Sequence, residues 1–308
     1  MPLKIWLGSP WFADDFRARG FCVLEGSLTA QAKARPAIKV ACIQFEPVFG
    51  DVDANLGMME KHIRTAQAQG ASVMILPELA DTGYVFHDVD EVGAHAGPIP
   101  AGRSAKRLVA LAQELKVYIA SGLAERDGKS FFNSAILCGP DGYIGKYRKI
   151  HLWNREKLYF EPGDMGLPVF DTAIGKLGVA ICYDGWFPET FRQMSLKGVE
   201  LVLIPTNWVP MPGQTRDMEP MANILHKAAA HSNAIYIACA DRVGTERGQP
   251  FIGSSLIIGP TGRPIAGPAS YDGEEILIAE VALDSVADSR KLNERNDVLG
   301  DRRPDVYG

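Results

Sequence analysis

Two kinds of apolar periodicity alternate along most of the chain. Short, mainly apolar runs rich in Val and Ile predict strands, and apolar residues spaced three or four apart predict amphipathic helices. The predicted strands cover residues 38–45, 71–76, 117–123, 132–138, 143–149, 176–181, 200–205, 234–240, 254–258 and 275–281. The predicted helices cover residues 55–69, 103–115, 188–197 and 218–232.

The order of these elements mixes strand-helix-strand units with hairpins. Residues 38–76 read as strand, helix and strand, whereas Gly139-Pro140-Asp141-Gly142 and Gly259-Pro260-Thr261-Gly262 are typical of tight turns between strands. Purely parallel winding does not fit this order. We therefore expect an α/β fold, with a mixed sheet or a pair of sheets covered by helices.

Both ends of the chain differ from this regular part. Residues 1–36 are aromatic without a clear period, lack the uninterrupted apolar stretch of a secretory signal, and carry Asp14 and Asp15, which a mitochondrial presequence avoids. Residues 291–308 are polar. We expect an arm of unassigned role over 1–36, one main domain over 37–290, and a tail that docks on a neighbouring subunit, the alternative being a frayed terminus.

Composition narrows the classes of function. The chain of 308 residues has 32 Lys and Arg against 37 Asp and Glu, without a basic stripe, which disfavours nucleic acid and anionic membranes as partners. No apolar run is long enough to span a bilayer. The five cysteines form no CxxC pair, which fits reduced thiols in the cytoplasm and no zinc cluster. A soluble protein acting on small molecules is the expectation.

One cysteine lies where an apolar run ends abruptly. Residues 178–181 predict an inner strand, Cys182 follows, and Pro188-Glu189 is typical of the first turn of a helix. Backbone N–H groups just past such an elbow can stabilise an oxyanion on a substrate held by the sulfur. The alternative is that Cys182 is a small buried apolar residue.

Three charged residues follow other predicted strands, where α/β scaffolds build their sites. Glu78 directly follows the strand that ends in Pro77, Lys149 ends a short strand, and Glu156 lies in the next loop. Each of them alone fits an ordinary solvated residue. Together with Cys182 they form an ordered set of Glu, Lys, Glu and Cys.

In this order the motifs closely resemble the nitrilase superfamily, the carbon-nitrogen hydrolases, from about residue 37 to the end. The motifs are Pro77-Glu78, Tyr147-Arg148-Lys149-Ile150-His151, Glu156 ahead of Phe160-Glu161-Pro162-Gly163, and Cys182-Tyr183-Asp184. Further landmarks are Asn133-Ser134-Ala135, Pro205-Thr206-Asn207-Trp208 and Asp301-Arg302-Arg303-Pro304.

The resemblance implies a four-layer αββα sandwich that pairs into a homodimer or a larger homo-oligomer. It also implies cofactor-free hydrolysis through a thioester on Cys182. Glu78 would be the general base and acid, Lys149 and the Tyr183 backbone N–H would hold the oxyanion, and Glu156 would position Lys149.

The branch of the family is indicated by the residues around the cysteine. Nitrile-hydrolysing members typically carry Trp-Glu after it, whereas this chain has Tyr183-Asp184, which resembles the N-carbamoyl amine hydrolases and short-chain amidases. The expected substrate is therefore a small amide or ureido compound. We expect the substrate-binding residues to be Tyr183, Trp186, Asn207, Trp208 and Tyr84, with Trp153 as a further wall.

Three alternatives stay open from the sequence. The first is a nitrilase that acts on a nitrile. The second is a catalytically silent scaffold, which would be expected to have lost Glu78, Lys149 or Cys182, and all three are present. The third is a redox or acyl-carrier thiol protein, for which no resolving cysteine lies next to Cys182.

Overall fold

A computed structural model describes residues 35–307. Most of the predicted arm, residues 1–34, lies outside the described residues. The strands are β1 (Ile38–Gln44), β2 (Val73–Ile75), β3 (Tyr118–Asp127), β4 (Ser130–Gly139), β5 (Gly142–Arg148), β6 (Val169–Thr172), β7 (Gly175–Val179), β8 (Leu201–Pro205), β9 (Tyr236–Ala240), β10 (Thr245–Glu246), β11 (Gln249–Pro250), β12 (Leu256–Ile258), β13 (Pro264–Ala266) and β14 (Glu275–Val281). The helices are α1 (Val52–Ala68), α2 (Val89–His95), α3 (Arg103–Leu115), α4 (Pro188–Leu196), α5 (Met221–Asn233), α6 (Ser285–Ser289) and α7 (Pro304–Tyr307).

Most strands belong to two six-stranded mixed sheets. The first sheet has the order β14-β1-β2-β3-β4-β5, with β1, β2 and β3 parallel and the other pairs antiparallel. The second has the order β13-β12-β9-β8-β7-β6, with β7, β8 and β9 parallel. The two short strands β10 and β11 form a separate hairpin.

Apolar side chains on the inner faces of the two sheets form one continuous core. It joins Val40 and Ile75 of the first sheet to Val179 and Leu203 of the second. On the outer face of the first sheet, α1 and α3 bury their apolar stripes in a second cluster, to which Met59 and Leu108 contribute. Each such side chain, when fully buried, stabilises the fold by about 1.5–3 kcal/mol.

On the other side, Phe191 and Met194 of α4 and Ala230 of α5 join the core of the second sheet. Helices therefore cover both outer faces of the paired sheets. The expected four-layer αββα sandwich is confirmed.

Most predicted elements differ from the structure by a few residues at one end or both, and two of the differences have a clear local cause. The helix predicted over 218–232 begins at Met221, because Pro220 occupies the N-cap and the residue before a proline is disfavoured in helical geometry. The strand predicted over 254–258 begins at Leu256, because Gly253 and Ser254 have positive φ angles that interrupt an extended chain.

Several short elements were not predicted. Helix α2 buries only Val92, so it carries no apolar period to recognise. The same is true of the hairpin β10-β11, whose strands have two residues each. Among residues 35–307, no helix is long and apolar enough to cross a membrane.

Candidate active site

The four residues of the Glu, Lys, Glu, Cys set lie together between the two sheets. Glu78 follows β2, Lys149 follows β5, Glu156 lies in a 3₁₀ turn (Asn154–Leu158), and Cys182 begins a second 3₁₀ turn (Cys182–Trp186) after β7. Strands β2 and β7 are both parallel strands of their sheets, and ligands of α/β folds bind at the carboxyl ends of such strands. Cys182 is 7% exposed, and the other three are 1% exposed or less.

The Lys149 ammonium is shared by the two carboxylates. Its Nζ lies 2.6 Å from Glu78 Oε1 and 2.7 Å from Glu156 Oε1. Burial by itself would lower the pKa of Lys149, but the charges of Glu156 and Glu78 outweigh it and raise that pKa. Lys149 is therefore a fixed positive charge in a site closed to water.

Glu78 has one oxygen held in place and one without a partner. Oε1 accepts hydrogen bonds from Lys149 Nζ and, at 2.7 Å, from Asn133 Nδ2. Oε2 accepts no hydrogen bond from any group in residues 35–307. Burial and the Glu156 charge raise the pKa of Glu78 to about 7, against the opposing effect of Lys149. A carboxyl with this pKa can both take and give a proton at neutral pH.

The backbone at Glu78 turns sharply and packs tightly. Leu79, the next residue, has a φ angle of +46°. A Cβ atom on Gly122 of β3 would lie 2.4 Å from Glu78 Cα, so only glycine fits there. This close approach of β3 keeps the Glu78 carboxylate in one position.

Cys182 occupies the predicted elbow between strand and helix, and its φ angle is +45°. Non-glycine residues with positive φ cost about 1–3 kcal/mol and cluster at functional sites. Burial, and then the negative charge of Glu78, raise the pKa of the Cys182 thiol well above its ordinary value, although Lys149 acts in the opposite direction. A thiol whose pKa is raised in this way needs a base before it can act as a nucleophile.

Asp184, two residues further, holds this elbow together. Its Oδ2 accepts hydrogen bonds from the Ile181 N–H at 2.9 Å and the Tyr147 hydroxyl at 2.7 Å. Its Oδ1 accepts the backbone N–H of His151 at 3.1 Å and lies 2.7 Å from Nδ1 of the His151 ring. This ring stacks on Phe187, with 3.7 Å between the centroids. One buried carboxylate thus connects the turn of Cys182 to the segment that carries Lys149.

Tyr84 lies beside the charged cluster, next to Glu156. Its hydroxyl donates a 2.5 Å hydrogen bond to Glu156 Oε1, the oxygen that also binds Lys149. Glu156 Oε2 accepts the Trp153 N–H at 3.2 Å. Tyr84 also borders a cavity of about 60 Å³ next to Trp153. Its direct partner is therefore Glu156, whose position it fixes.

The pocket above Cys182 is narrow and mainly aromatic. Its volume is about 20 Å³, room for about one water molecule. The bordering residues are Trp153, Cys182, Tyr183, Trp186, Asn207, Trp208, Val209 and Met211. None of these side chains is charged at neutral pH. The structure therefore brings Tyr183, Trp186, Asn207 and Trp208 to the thiol, and Tyr84 to the neighbouring cavity.

Asn207 has a second contact in the site. Its Nδ2 donates a 2.8 Å hydrogen bond to the Glu78 backbone carbonyl, while its own Oδ1 is buried without a partner in residues 35–307. Asn207 thus ties the loop after β8 to the loop after β2. Its free oxygen can accept one more hydrogen bond.

Two residues of this site had no role in the sequence reasoning. Asn133 stood only as a landmark, and Asp184 only as part of the Cys182-Tyr183-Asp184 motif. Both could have been found from the sequence. Asn133 is a polar residue within an apolar strand and Asp184 is an acid just after a buried strand, and buried polar groups need hydrogen-bond partners. Within residues 35–307, no group of three or more His, Cys, Asp or Glu is placed to hold a metal ion.

The sequence profile of the carbon-nitrogen hydrolase family matches residues 39–291. A protein of Pyrococcus abyssi named nitrilase is 44% identical over 88% of this chain and 99% of its own length. The N-carbamoylputrescine amidase of Solanum lycopersicum is 35% identical over 90% of this chain and 95% of its own.

A solved structure is similar over nearly the same range. It is a variant of the amidase from Nesterenkonia sp. AN1, in which acrylamide has added to the active-site cysteine. The TM-score is 0.71 at 26% identity, and the match covers 88% of this chain and 98% of that chain.

Proposed function

Because this chain belongs to the carbon-nitrogen hydrolase family, we propose that it is an amidohydrolase that cleaves a terminal carboxamide or N-carbamoyl group through a thioester on Cys182. The roles of the individual residues are inferred mainly from the contacts of the Lys149 ammonium. It is shared by Glu78 and Glu156 beside a buried thiol.

In the first half of the reaction, Glu78 is the general base. Its Oε2, which is free of partners in residues 35–307, takes the thiol proton, and the sulfur attacks the amide carbon. The Lys149 ammonium and the Tyr183 backbone N–H stabilise the oxyanion, a contribution of about 3 kcal/mol for one donor. Glu78 then gives the proton to the leaving nitrogen, the C–N bond breaks, and ammonia or an amine departs.

In the second half, a water molecule replaces the leaving group. Glu78, again a carboxylate, takes a proton from this water, and the water oxygen attacks the thioester carbon. The C–S bond breaks, the acid product leaves, and the proton on Glu78 returns to the sulfur. A pKa of about 7 for Glu78 suits both directions of transfer.

The walls of the pocket favour a small, uncharged acyl group. Trp153, Trp186 and Trp208 border Cys182, and no charged side chain among the bordering residues would pair with an ammonium or carboxylate on the substrate. We expect butyramide to have a higher kcat/KM than β-alaninamide, which has the same shape but carries an ammonium. The opposite order would mean that the rings bind cations through their faces.

The test of the function is a release assay. Purified protein is given aliphatic amides, amino-acid amides and N-carbamoyl compounds, and ammonia and carbon dioxide are followed separately. Ammonia alone indicates an amidase, and both products indicate a carbamoyl hydrolase. Release by the wild type that is lost in Cys182→Ala supports the proposal, whereas full activity of Cys182→Ala would end it.

The assignment of Trp208 and Asn207 to the acyl group has its own test. Trp208 is 2% exposed and borders the thiol. We expect Trp208→Ala to change the ratio of kcat/KM values across a series of amides of increasing chain length. An unchanged ratio would remove Trp208 from the acyl site.

Nitrile hydrolysis is a second candidate function, favoured by the 44% identity to the Pyrococcus abyssi nitrilase. The same thiol, base and oxyanion donors would serve for attack on a nitrile carbon. Adding butyronitrile, the nitrile that matches butyramide, to the panel separates the two. Ammonia from nitriles at a rate above that from the matched amides would favour the second candidate.

Assembly, domain limits and location stay predictions. Arg302 and Tyr307 of the predicted tail border a groove of about 500 Å³ with residues of α4 and α5, which gives the tail and this helical face a common surface. A homodimer or larger homo-oligomer that uses this surface predicts a smaller mass by light scattering after deletion of residues 291–308. Boundaries at 36 and 290, and a cytoplasmic location, follow from the sequence alone.

A further inference from the structure

A buried ion pair lies outside the catalytic cluster, at the hairpin β10-β11. Arg242 is 1% exposed and Glu246 is 6% exposed. Arg242 Nη1 lies 2.5 Å from Glu246 Oε2, and its guanidinium stacks over the Phe251 ring at 4.2 Å. Desolvating such a pair is costly, and it is weak support for stability by itself. The contacts of the second Glu246 oxygen, Oε1, suggest another role.

Glu246 Oε1 binds the backbone of Tyr84 and of the next residue, Val85. It accepts the Tyr84 N–H at 2.8 Å and the Val85 N–H at 2.5 Å. The Phe251 ring meets the Tyr84 ring edge to face, with centroids 5.9 Å apart. The same ion pair therefore holds both the backbone and the ring of Tyr84.

The neighbouring Arg247 binds this segment from its other side. Its Nη1 donates to the Val85 carbonyl at 3.1 Å and to Glu91 at 2.7 Å. Gly83 lets Glu246 come this close, because a Cβ there would lie 2.7 Å from Glu246 Oε2 and its φ angle is +81°. Both hydrogen-bonding groups of Val85 are thus satisfied by the hairpin.

Tyr84 connects this segment to the site, since its hydroxyl donates to the Glu156 oxygen that binds Lys149. We infer that Arg242 and Glu246 are positioning residues of the reaction, which act through Tyr84 to set how Glu156 shares the Lys149 ammonium with Glu78. The inference rests on the proposed function. Without the Tyr84 hydroxyl, Glu156 would bind Lys149 more strongly and draw it away from Glu78 and Cys182.

The test is a double-mutant cycle between Glu246→Gln and Tyr84→Phe. Glu246→Gln removes the charge and one acceptor, and we expect kcat to fall about tenfold with KM within threefold. If Glu246 acts through Tyr84, the double variant has the kcat of Tyr84→Phe within twofold. If the two losses multiply, or if folded Glu246→Gln keeps its kcat, the inference is wrong.

Glu200→Gln is the matched control. Glu200 also pairs with an arginine, Arg35, and accepts a backbone N–H, that of Lys176 at 2.8 Å, but it contacts no residue of the site. We expect it to lower the melting temperature without changing kcat by more than twofold. A tenfold loss of kcat in Glu200→Gln would show that any lost ion pair slows the enzyme, and would overturn the inference.

Arg247→Ala decides the case if Glu246→Gln does not fold, because the Arg247 side chain is 30% exposed. We expect kcat of Arg247→Ala to fall about threefold relative to the wild type. In the Tyr84→Phe background the same substitution should cause no further fall. A loss that multiplies, or none at all, contradicts the inference.

A readout without substrate separates this inference from the proposed function. The rate of Cys182 alkylation by iodoacetamide at pH 7 depends on Lys149 next to the sulfur, and we expect Glu246→Gln to lower it at least threefold. A wild type without hydrolytic activity but with this difference would refute the proposed function alone. Equal alkylation rates would refute the positioning role even if the wild type hydrolyses amides.

Discussion

Two buried acid-base clusters lie next to each other at the first sheet, where the neighbouring residues Asn133 and Ser134 of β4 each contact one of them, and they differ in the number of cations that the buried carboxylate binds. In the first cluster Glu78 and Glu156 share one cation, Lys149. In the second, one buried acid, Glu125, binds both Lys146 and Arg148, and Ser134 Oγ donates to it at 2.5 Å. Arg148 also pairs with the exposed carboxylates of Asp127 and Asp164.

The pKa values of the two acids move in opposite directions. Burial would raise the pKa of Glu125, but hydrogen bonds from Arg148 and Lys146 outweigh it and lower that pKa. For Glu78, burial and the charge of Glu156 outweigh the effect of Lys149, and the pKa rises to about 7. Both side chains are 1% exposed or less, and the two cations bound by Glu125, against the one that Glu78 shares with a second acid, contribute to this difference in pKa.

Glu78→Gln gives the largest expected effect. The amide cannot take the thiol proton, so we expect ammonia release to fall at least about a thousandfold. The melting temperature should stay within a few degrees, because Lys149 keeps Glu156 as partner. The measurements are kcat by ammonia release and thermal unfolding by circular dichroism. An active Glu78→Gln protein would remove Glu78 from the mechanism.

Glu125→Gln should show the reverse. It leaves Lys146 and Arg148 without their buried acid, and removing one partner of a buried pair costs about 3 kcal/mol of stability. We expect a lower urea midpoint with an unchanged slope, and kcat within threefold of the wild type. If kcat fell as far as in Glu78→Gln, the separation between a structural and a reactive cluster would be wrong.

The pH dependence of kcat/KM gives the smallest effect. The base form of Glu78 is the carboxylate, so kcat/KM should fall as the pH drops below about 7 and this group is protonated. Asn133→Asp replaces a donor to Glu78 Oε1 by a third acid, which raises the pKa of Glu78 further. We expect the acid limb to move up by about one pH unit, with the plateau at high pH kept.

A limb at the same pH in both proteins would show that a group other than Glu78 controls it. Asn133→Ser serves as the control, since it removes the donor without adding a charge. Its limb should move upward by less than that of Asn133→Asp.

The sequence predicts the site residues that lie at the ends of strands, but not the residues that hold these groups in place through hydrogen bonds. Glu78 and Cys182 follow apolar runs and Lys149 ends a predicted short strand, so each is visible from local periodicity and from the order of the motifs. The Asn133 hydrogen bond to Glu78 joins residues 55 positions apart, and that of Glu246 to Tyr84 joins residues 162 apart. Local patterns do not tell which distant residues become neighbours.

The same limit applies to the fold. Helix α3 and strand β14 have the predicted ends, 103–115 and 275–281, because their apolar periods are long enough to recognise. The short strands β6 and β13 contain no buried residue and have only four and three residues. They therefore show no apolar run or alternation that would distinguish them from loops. Their places come from pairing with β7 and β12.

The first and last strands of the sandwich are antiparallel neighbours. Strand β1 pairs with β14 over seven positions, from Ile38 with Val281 to Gln44 with Glu275. A growing chain therefore exposes the edge of β1 on the ribosome until nearly the whole domain has been synthesised. Such distant pairing makes folding slow, and unpaired strand edges promote aggregation. Nascent chains interrupted before residue 275 should consequently be clients of chaperones and proteases.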